Sequence, residues 1–258
     1  MEQFDRLLAQ GRRALDDGQL SEALTLLRQA EAIDDRSADL YLLLAETLEE
    51  KGQPDKAEVA LNRGLQLDPE HLDLHYALGD LLLEKGRLDE ALQKYRTIVD
   101  RDRSEIDAWV SQALVLLSLE RAEEAEQACR QAVDIDPHST FALTTLGDIC
   151  LALGRDEETL EYYQKALELE PEEGQVYLSL GDYYYDAGQF EDAEHYCRKA
   201  LELDSELTTA WLTLGNLCLD QEKDKEALFF FRQFLKFEKN PSSQQIRAEV
   251  AAVVEGLK

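Results

Sequence analysis

Positive charge is scarce in this chain: 27 Lys and Arg stand against 55 Asp and Glu, a formal net charge of -28. Nucleic-acid affinity comes from Lys and Arg neutralising phosphates. The field here has the wrong sign for DNA, RNA or an anionic membrane surface, and it suits a basic or apolar partner. The plainer reading is that acidity keeps an elongated protein in solution. No apolar run approaches the ~20 residues needed to cross a bilayer, so no direct membrane insertion is expected. The opening residues, MEQFDRLLAQ, carry neither a basic leader nor an apolar stretch, and the expected compartment is cytoplasmic.

Chemistry-bearing motifs are also missing. Of the four cysteines none forms a CxxC, so a zinc knuckle is not expected, and neither a metal nor a cofactor is assigned. Cys129 and Cys150 are 21 residues apart, as are Cys197 and Cys218. All four fall on an apolar face, where Cys serves as a small core filler; two oxidation-sensitive thiol pairs are the sharper alternative. There is no HExxH, no GxSxG and no phosphate-cradling glycine loop. Four histidines do not add up to an acid–base site, and abundant carboxylates alone are not one either. A non-enzymatic protein is expected.

What the chain does have is a period. From Gly11 the same position returns every 34 residues as Ala45, Gly79, Ala113, Gly147, Gly181 and Gly215, seven copies without an insertion or deletion. A fixed period of this size marks a solenoid, in which each unit packs on its neighbours. The seven units run 4–37, 38–71, 72–105, 106–139, 140–173, 174–207 and 208–241. Inside each, apolar residues recur at helical spacing on two short helices. In the first unit these are Leu7, Leu8, Ala14 and Leu15, then Leu20, Ala23, Leu24, Leu27 and Ala30. Gly18, Gly52, Gly86, Gly154 and Gly188 mark the turns between paired helices. Pro54 opens a second helix, and Pro69, Pro137 and Pro171 follow second helices.

Four columns organise the packing. Small residues at Gly11 and its equivalents are expected to face a second small column, Ala23, Ala57, Ala91, Ala125, Thr159, Ala193 and Ala227, where the two helices come closest. A third column is large: Leu7, Tyr41, His75, Trp109, Leu143, Tyr177 and Trp211. A fourth holds Leu27, Leu61, Tyr95, Cys129, Tyr163, Cys197 and Phe231. In residues 242–258, Ser242 or Ser243 can cap a last helix. Its stripe of Ile246, Val250, Val253, Val254 and Leu257 would cover the final unit, with Arg247, Glu249 and Lys258 away from it. The same helix could shield Phe229 and Phe230, which otherwise form a second contact patch.

These columns, clearest in LGDICLALG…ALELEP and LGDYYYDAGQFEDAEHYCRKALELD, resemble the tetratricopeptide repeat (TPR) family. Asp35, Arg103, Ser205 and Lys239 replace the terminal Pro of the pattern, Thr159 the small Ala, and Glu120 and Glu222 the turn Gly. The resemblance implies an all-α, right-handed α-solenoid (superhelix) of seven helix-turn-helix units. First helices would line its concave side, and other proteins or peptides would bind there. A chaperone-tail clamp of Lys, Arg and Asn is absent, since Leu8, Leu42 and Tyr76 stand where Lys would be needed.

The expected groove residues are Leu42, Glu46, Tyr76, Asp80, Leu83, Val110, Leu117, Asp148, Leu151, Leu178, Asp182, Tyr185, Leu212 and Asn216. They make an apolar floor flanked by carboxylates, suited to a segment carrying Lys or Arg and apolar anchors. Tyr76 and Tyr185 are the leading anchors. Asp5, Asp39, Asp73 and Asp107 recur at first-helix starts, where a carboxylate complements the helix dipole, and are not taken as ligands. A scaffold for protein–protein interaction is the function expected. The alternatives are a self-assembling homo-oligomer, with an open N-terminal end docked on another copy, or a cytosolic chaperone.

Overall fold

The computed structural model describes residues 2–239 and 243–257, and is all-α, with fifteen helices and no strand among the described residues. Pro241, Ser242 and Lys258 lie outside the described residues, and so does the boundary between 241 and 242. Among the described residues no helix is long and apolar enough to cross a membrane. The chain divides between Leu119 and Glu120 into two compact units.

The first unit holds α1 (Glu2–Asp16), α2 (Leu20–Glu31), α3 (Ala38–Glu50), α4 (Pro54–Leu67), α5 (Leu72–Glu84), α6 (Leu88–Arg101) and α7 (Ile106–Ser118). Helices of 12 to 15 residues are too short to be stable alone, and within the unit each packs on its neighbours in the chain. First helices also touch the next first helix, as α1 does α3 and α3 does α5. The second unit holds α8 (Ala122–Ile135), α9 (Thr140–Ala152), α10 (Asp156–Leu169), α11 (Gly174–Asp186), α12 (Phe190–Leu203), α13 (Thr208–Asp220), α14 (Asp224–Phe237) and α15 (Gln244–Gly256). Its first helices α9, α11 and α13 meet in the same way. Each unit is thus an in-line stack of helical hairpins, the solenoid arrangement that the period implies.

The turns explain the regularity. Gly18, Gly52, Gly86, Gly154 and Gly188 all take φ near +70°, the left-handed conformation that ends a helix at little cost for glycine. Glu120 and Glu222 adopt the same conformation, φ 58° and 59°, with a side chain attached. Between hairpins, the large third column ties down the preceding turn. His75 Nε2 lies 2.9 Å from the Pro69 carbonyl oxygen, Trp109 Nε1 donates to the Arg103 carbonyl at 3.0 Å, and Trp211 Nε1 donates to that of Ser205 at 3.0 Å.

Two packing expectations need correction. The residue opposite each glycine is not the small one twelve further on but the fourth-column residue sixteen further on. A β-carbon at Gly11 would come within 2.7 Å of Leu27, and at Gly79 within 2.9 Å of Tyr95. At Gly79, Gly147 and Gly215 it is an aromatic ring that a β-carbon would meet, whereas Ala45 and Ala113 hold the same position in their repeats. The Ala column is still wholly buried, from Ala23 to Ala227, but it fills the interior elsewhere. At the C-terminal end Val250 and Val254 do bury against Phe230, Phe231 and Phe234. Phe230 is covered, whereas Phe229 is 53% exposed and Ile246 is exposed too. Ser243 precedes α15 without a side-chain capping bond.

All four cysteines are buried and free. Cys129 donates to the Ala142 carbonyl at 3.2 Å. Burial pushes the Cys129 and Cys197 thiols up to about 12, so they stay protonated and unreactive at neutral pH. That is the behaviour of core fillers.

Candidate functional site

In the first unit, α3, α5 and α7 line a cavity of about 620 Å³. Leu42, Tyr76 and Ala77 supply its apolar surface, and Glu46, Glu49, Asp73, Asp80, Glu105 and Asp107 surround it with six carboxylates. Helical periodicity puts them there. Leu42, Glu46 and Glu49 are successive turns of one face of α3, and Asp73, Tyr76, Ala77 and Asp80 follow the same spacing on α5.

Two of these side chains are held in place. The Tyr95 hydroxyl, reaching over from α6, donates to Asp80 at 2.5 Å. The Tyr76 hydroxyl donates to Glu105 at 3.3 Å, and its ring meets Tyr95 edge-on, with centroids 6.4 Å apart. Tyr76 is therefore presented in one orientation, half-buried, with its phenol kept protonated mainly by burial and then by Glu105. Glu46 and Glu49 are different. Both are half-buried, and among the described residues neither forms an ion pair. Burial and then the neighbouring Glu84, Asp80 and Glu46 push the Glu49 carboxyl up to about 7. Burial raises Glu46 too, against the pull of Arg12. Among the described residues no group of three His, Cys, Asp or Glu is arranged to hold a metal ion. The six carboxylates give the cavity a negative field.

The second unit offers a different first-helix face. Asp148 accepts the Tyr163 hydroxyl at 2.5 Å and Asp182 accepts Thr213 Oγ1 at 2.7 Å. Burial drives both carboxyls up to about 6, while those hydroxyls pull the other way. Tyr185 donates to Asp220 at 2.7 Å. Leu151, Leu212 and Asn216 are half-buried.

Of the fourteen expected groove residues, the structure brings Leu42, Glu46, Tyr76 and Asp80 together in the one cavity. Leu83 and Leu117 are half-buried but outside its lining. Val110 and Leu178 are corrected: Val110 has no exposed surface and Leu178 is 3% exposed. Leu178 is turned onto Ala200 and Ala210, so it joins hairpins instead of lining a groove. Asp73 and Asp107, read as helix-dipole partners, do sit in the first turns of α5 and α7, and they line the cavity as well. Their recurrence in register was the signal. Glu105, in the turn before α7, had none.

Family models described as tetratricopeptide repeat match residues 14–66, 50–106, 76–140, 138–206 and 178–243. No curated protein matches the chain in sequence. Among solved structures, a tetratricopeptide repeat protein from Parabacteroides merdae ATCC 43184 is similar with a TM-score of 0.88 at 17% identity, covering 99% of this chain and 100% of that one. A MamA protein is similar with a TM-score of 0.60 at 21% identity over 67% of this chain and 95% of its own. MamA from Desulfovibrio magneticus RS-1 gives 0.61 at 22% identity, over 66% and 97%. At such identities these structures carry the fold.

Proposed function

The chain belongs to the tetratricopeptide repeat family, and on that premise we propose that it is a non-enzymatic scaffold whose α3–α5–α7 face grips a partner segment carrying Lys or Arg beside an apolar side chain. The fold is that of a protein-interaction module. The finer reading rests on the cavity: about 620 Å³, with an apolar floor and six carboxylates around it. A Lys or Arg would lay its aliphatic stem on Leu42 and Tyr76 and bring its charge to the carboxylates. Glu49, half-buried with only like charges acting on it, favours a site that a cation completes. We keep the seven-unit register as part of this reading, with residues 242–258 as the cap of the last unit.

The test is a cross-link. With a photo-reactive amino acid in place of Tyr76, the captured partner peptide should carry Lys or Arg at the linked site. The pair Glu46→Lys and Glu49→Lys should cut capture at least tenfold while leaving helical circular dichroism unchanged. Undiminished capture by that folded variant would remove the cavity from the function.

A further inference from the structure

The regulation of this site can be read from its charges, and it rests on the cavity's being a cation-binding site. Elsewhere in the first unit a half-buried carboxylate is neutralised in place: Glu58 accepts from Lys85 at 2.7 Å and from Arg87 at 2.5 Å. Among the described residues Glu46 and Glu49, one turn apart on α3, form no such ion pair, and Arg12 acts on Glu46 alone. The charges acting on Glu49 are all negative: Glu46 on its own helix, and Asp80 and Glu84 from α5. Around Glu46 stand Arg12 and Asp16 from α1, Asp73 from α5 and Glu50 from α3 itself. The other two helices packed on α3 are α2 and α4, and no charge of theirs acts on Glu49. Arg28 of α2 is engaged by Glu31, and Glu58 of α4 by Lys85 and Arg87.

We propose that Glu49, half-buried in the cavity beside Glu46, holds a proton when no partner is bound and releases it to solvent when a partner's Lys or Arg enters, so that binding strengthens as pH rises through neutrality. The cause is crowding. Glu49, half-buried beside Glu46, Asp80 and Glu84, does not ionise freely, and an arriving ammonium or guanidinium supplies the attraction that lets it. Above neutrality Glu49 is already ionised and the cation enters without displacing anything. Below it each binding event must strip a proton, which weakens affinity by up to about tenfold per pH unit. The displaced proton goes to buffer, and no other bond changes.

Calorimetry tests this with a defined probe, acetyl-Leu-Lys-Leu-Leu-Lys-Leu-amide, on the full chain in salt sufficient to screen distant charges. Its lysines stay charged between pH 6 and 8, so the pH response belongs to the protein. Titration at pH 6.5 in two buffers of different ionisation enthalpy counts the protons released. About one per peptide is expected, with affinity roughly tenfold weaker at pH 6 than at pH 8. Glu49→Gln should abolish the release and flatten the pH profile. Glu84→Gln, at an exposed residue outside the cavity lining, should keep the fold and move the weakening to lower pH. Equal affinity at pH 6 and 8 with no proton released, or a Glu49→Gln profile parallel to wild type, would overturn the linkage and leave the site standing. Failure of the peptide to bind at either pH would overturn the site itself.

Discussion

The two units build their first-helix faces from the same repeat columns and arrive at opposite electrostatic states. In the second unit Asp148 and Asp182 are each answered by a hydroxyl, from Tyr163 and Thr213. In the first unit Asp80 is answered in the same way by Tyr95, whereas among the described residues Glu46 and Glu49 accept no hydroxyl and form no ion pair, and only Glu46 feels a cation, Arg12. The difference lies in side-chain length and in the fourth column. An Asp with a Tyr fifteen residues later closes a bond across its own hairpin, as Asp80–Tyr95 and Asp148–Tyr163 do. Glu46 is followed fifteen residues later by Leu61, which has nothing to donate. Asp182 is followed fifteen residues later by Cys197 and takes its hydroxyl from Thr213 on the next first helix, so a carboxylate on these faces is structural or available according to a residue on a neighbouring helix.

The comparison breaks most severely at Gly147. A β-carbon there would lie 2.5 Å from the Tyr163 ring, so Gly147→Val must push Tyr163 aside and take the hydroxyl from Asp148. Overpacking of ~1–3 kcal/mol adds to the loss of a buried hydrogen bond. The melting temperature should fall further than it does for Asp148→Ala, which loses the hydrogen bond alone. An unchanged melt would show that the hairpin register around Gly147 is wrong.

A milder pair of substitutions sharpens the contrast by its sign. Asp148→Ala leaves the buried Tyr163 hydroxyl without its acceptor and should destabilise by about 1–3 kcal/mol. Glu49→Gln should do the reverse. Glu49 is raised to about 7 in the folded chain from an ordinary carboxylate value near 4.5, so the folded state holds the proton more tightly than the unfolded one. Its contribution is most favourable below the lower value and is lost as pH rises through about 7. Glu49→Gln should therefore stabilise at pH 8 by on the order of 1 kcal/mol, after solvent screening, and change little at pH 5. Melting curves at the two pH values check both. A Glu49→Gln gain equal at pH 5 and pH 8 would mean that the residue does not titrate in this window.

The fold was legible because a solenoid writes its structure in a period, and every turn glycine and helix-opening proline sits where the spacing put it. The site was legible only in part. A column names the residues at one helical angle, yet a solenoid's neighbouring hairpins decide how much of that angle stays open. Val110 and Leu178 share a column with Tyr76 but are covered, Leu178 by Ala200 and Ala210, and Leu42 keeps only 8% of its surface exposed. Phe229 and Phe230 are adjacent in sequence, and α15 shelters only the second. Asp73 and Asp107 are visible in sequence as helix-dipole partners only, yet one residue can serve the dipole and a cavity at once. Spacing also pairs the glycine column with the wrong neighbour, since it reveals small residues but not the bulk that makes them necessary.

The smallest expected effect compares two turns of the second unit. Gly188 and Glu222 close their helices with the same bonds: Gly188 N–H to the Tyr185 carbonyl at 2.9 Å, and Glu222 N–H to that of Leu219 at 3.0 Å. The next residue in each case bonds one position further back, Gln189 to Tyr184 and Lys223 to Cys218, both at 2.8 Å. Only the side chain differs, and at φ 59° it costs about 1–2 kcal/mol for an L-residue. Glu222 is exposed, so its removal forfeits no burial. Against that gain, glycine frees the unfolded chain, an offset of about 0.4–1 kcal/mol. Glu222→Gly should thus raise the melting temperature by about 1–2 °C, and Gly188→Ala should lower it by a similar or larger margin. Should Glu222→Gly melt lower than wild type, the carboxylate would have to contribute more in its place than the turn conformation costs.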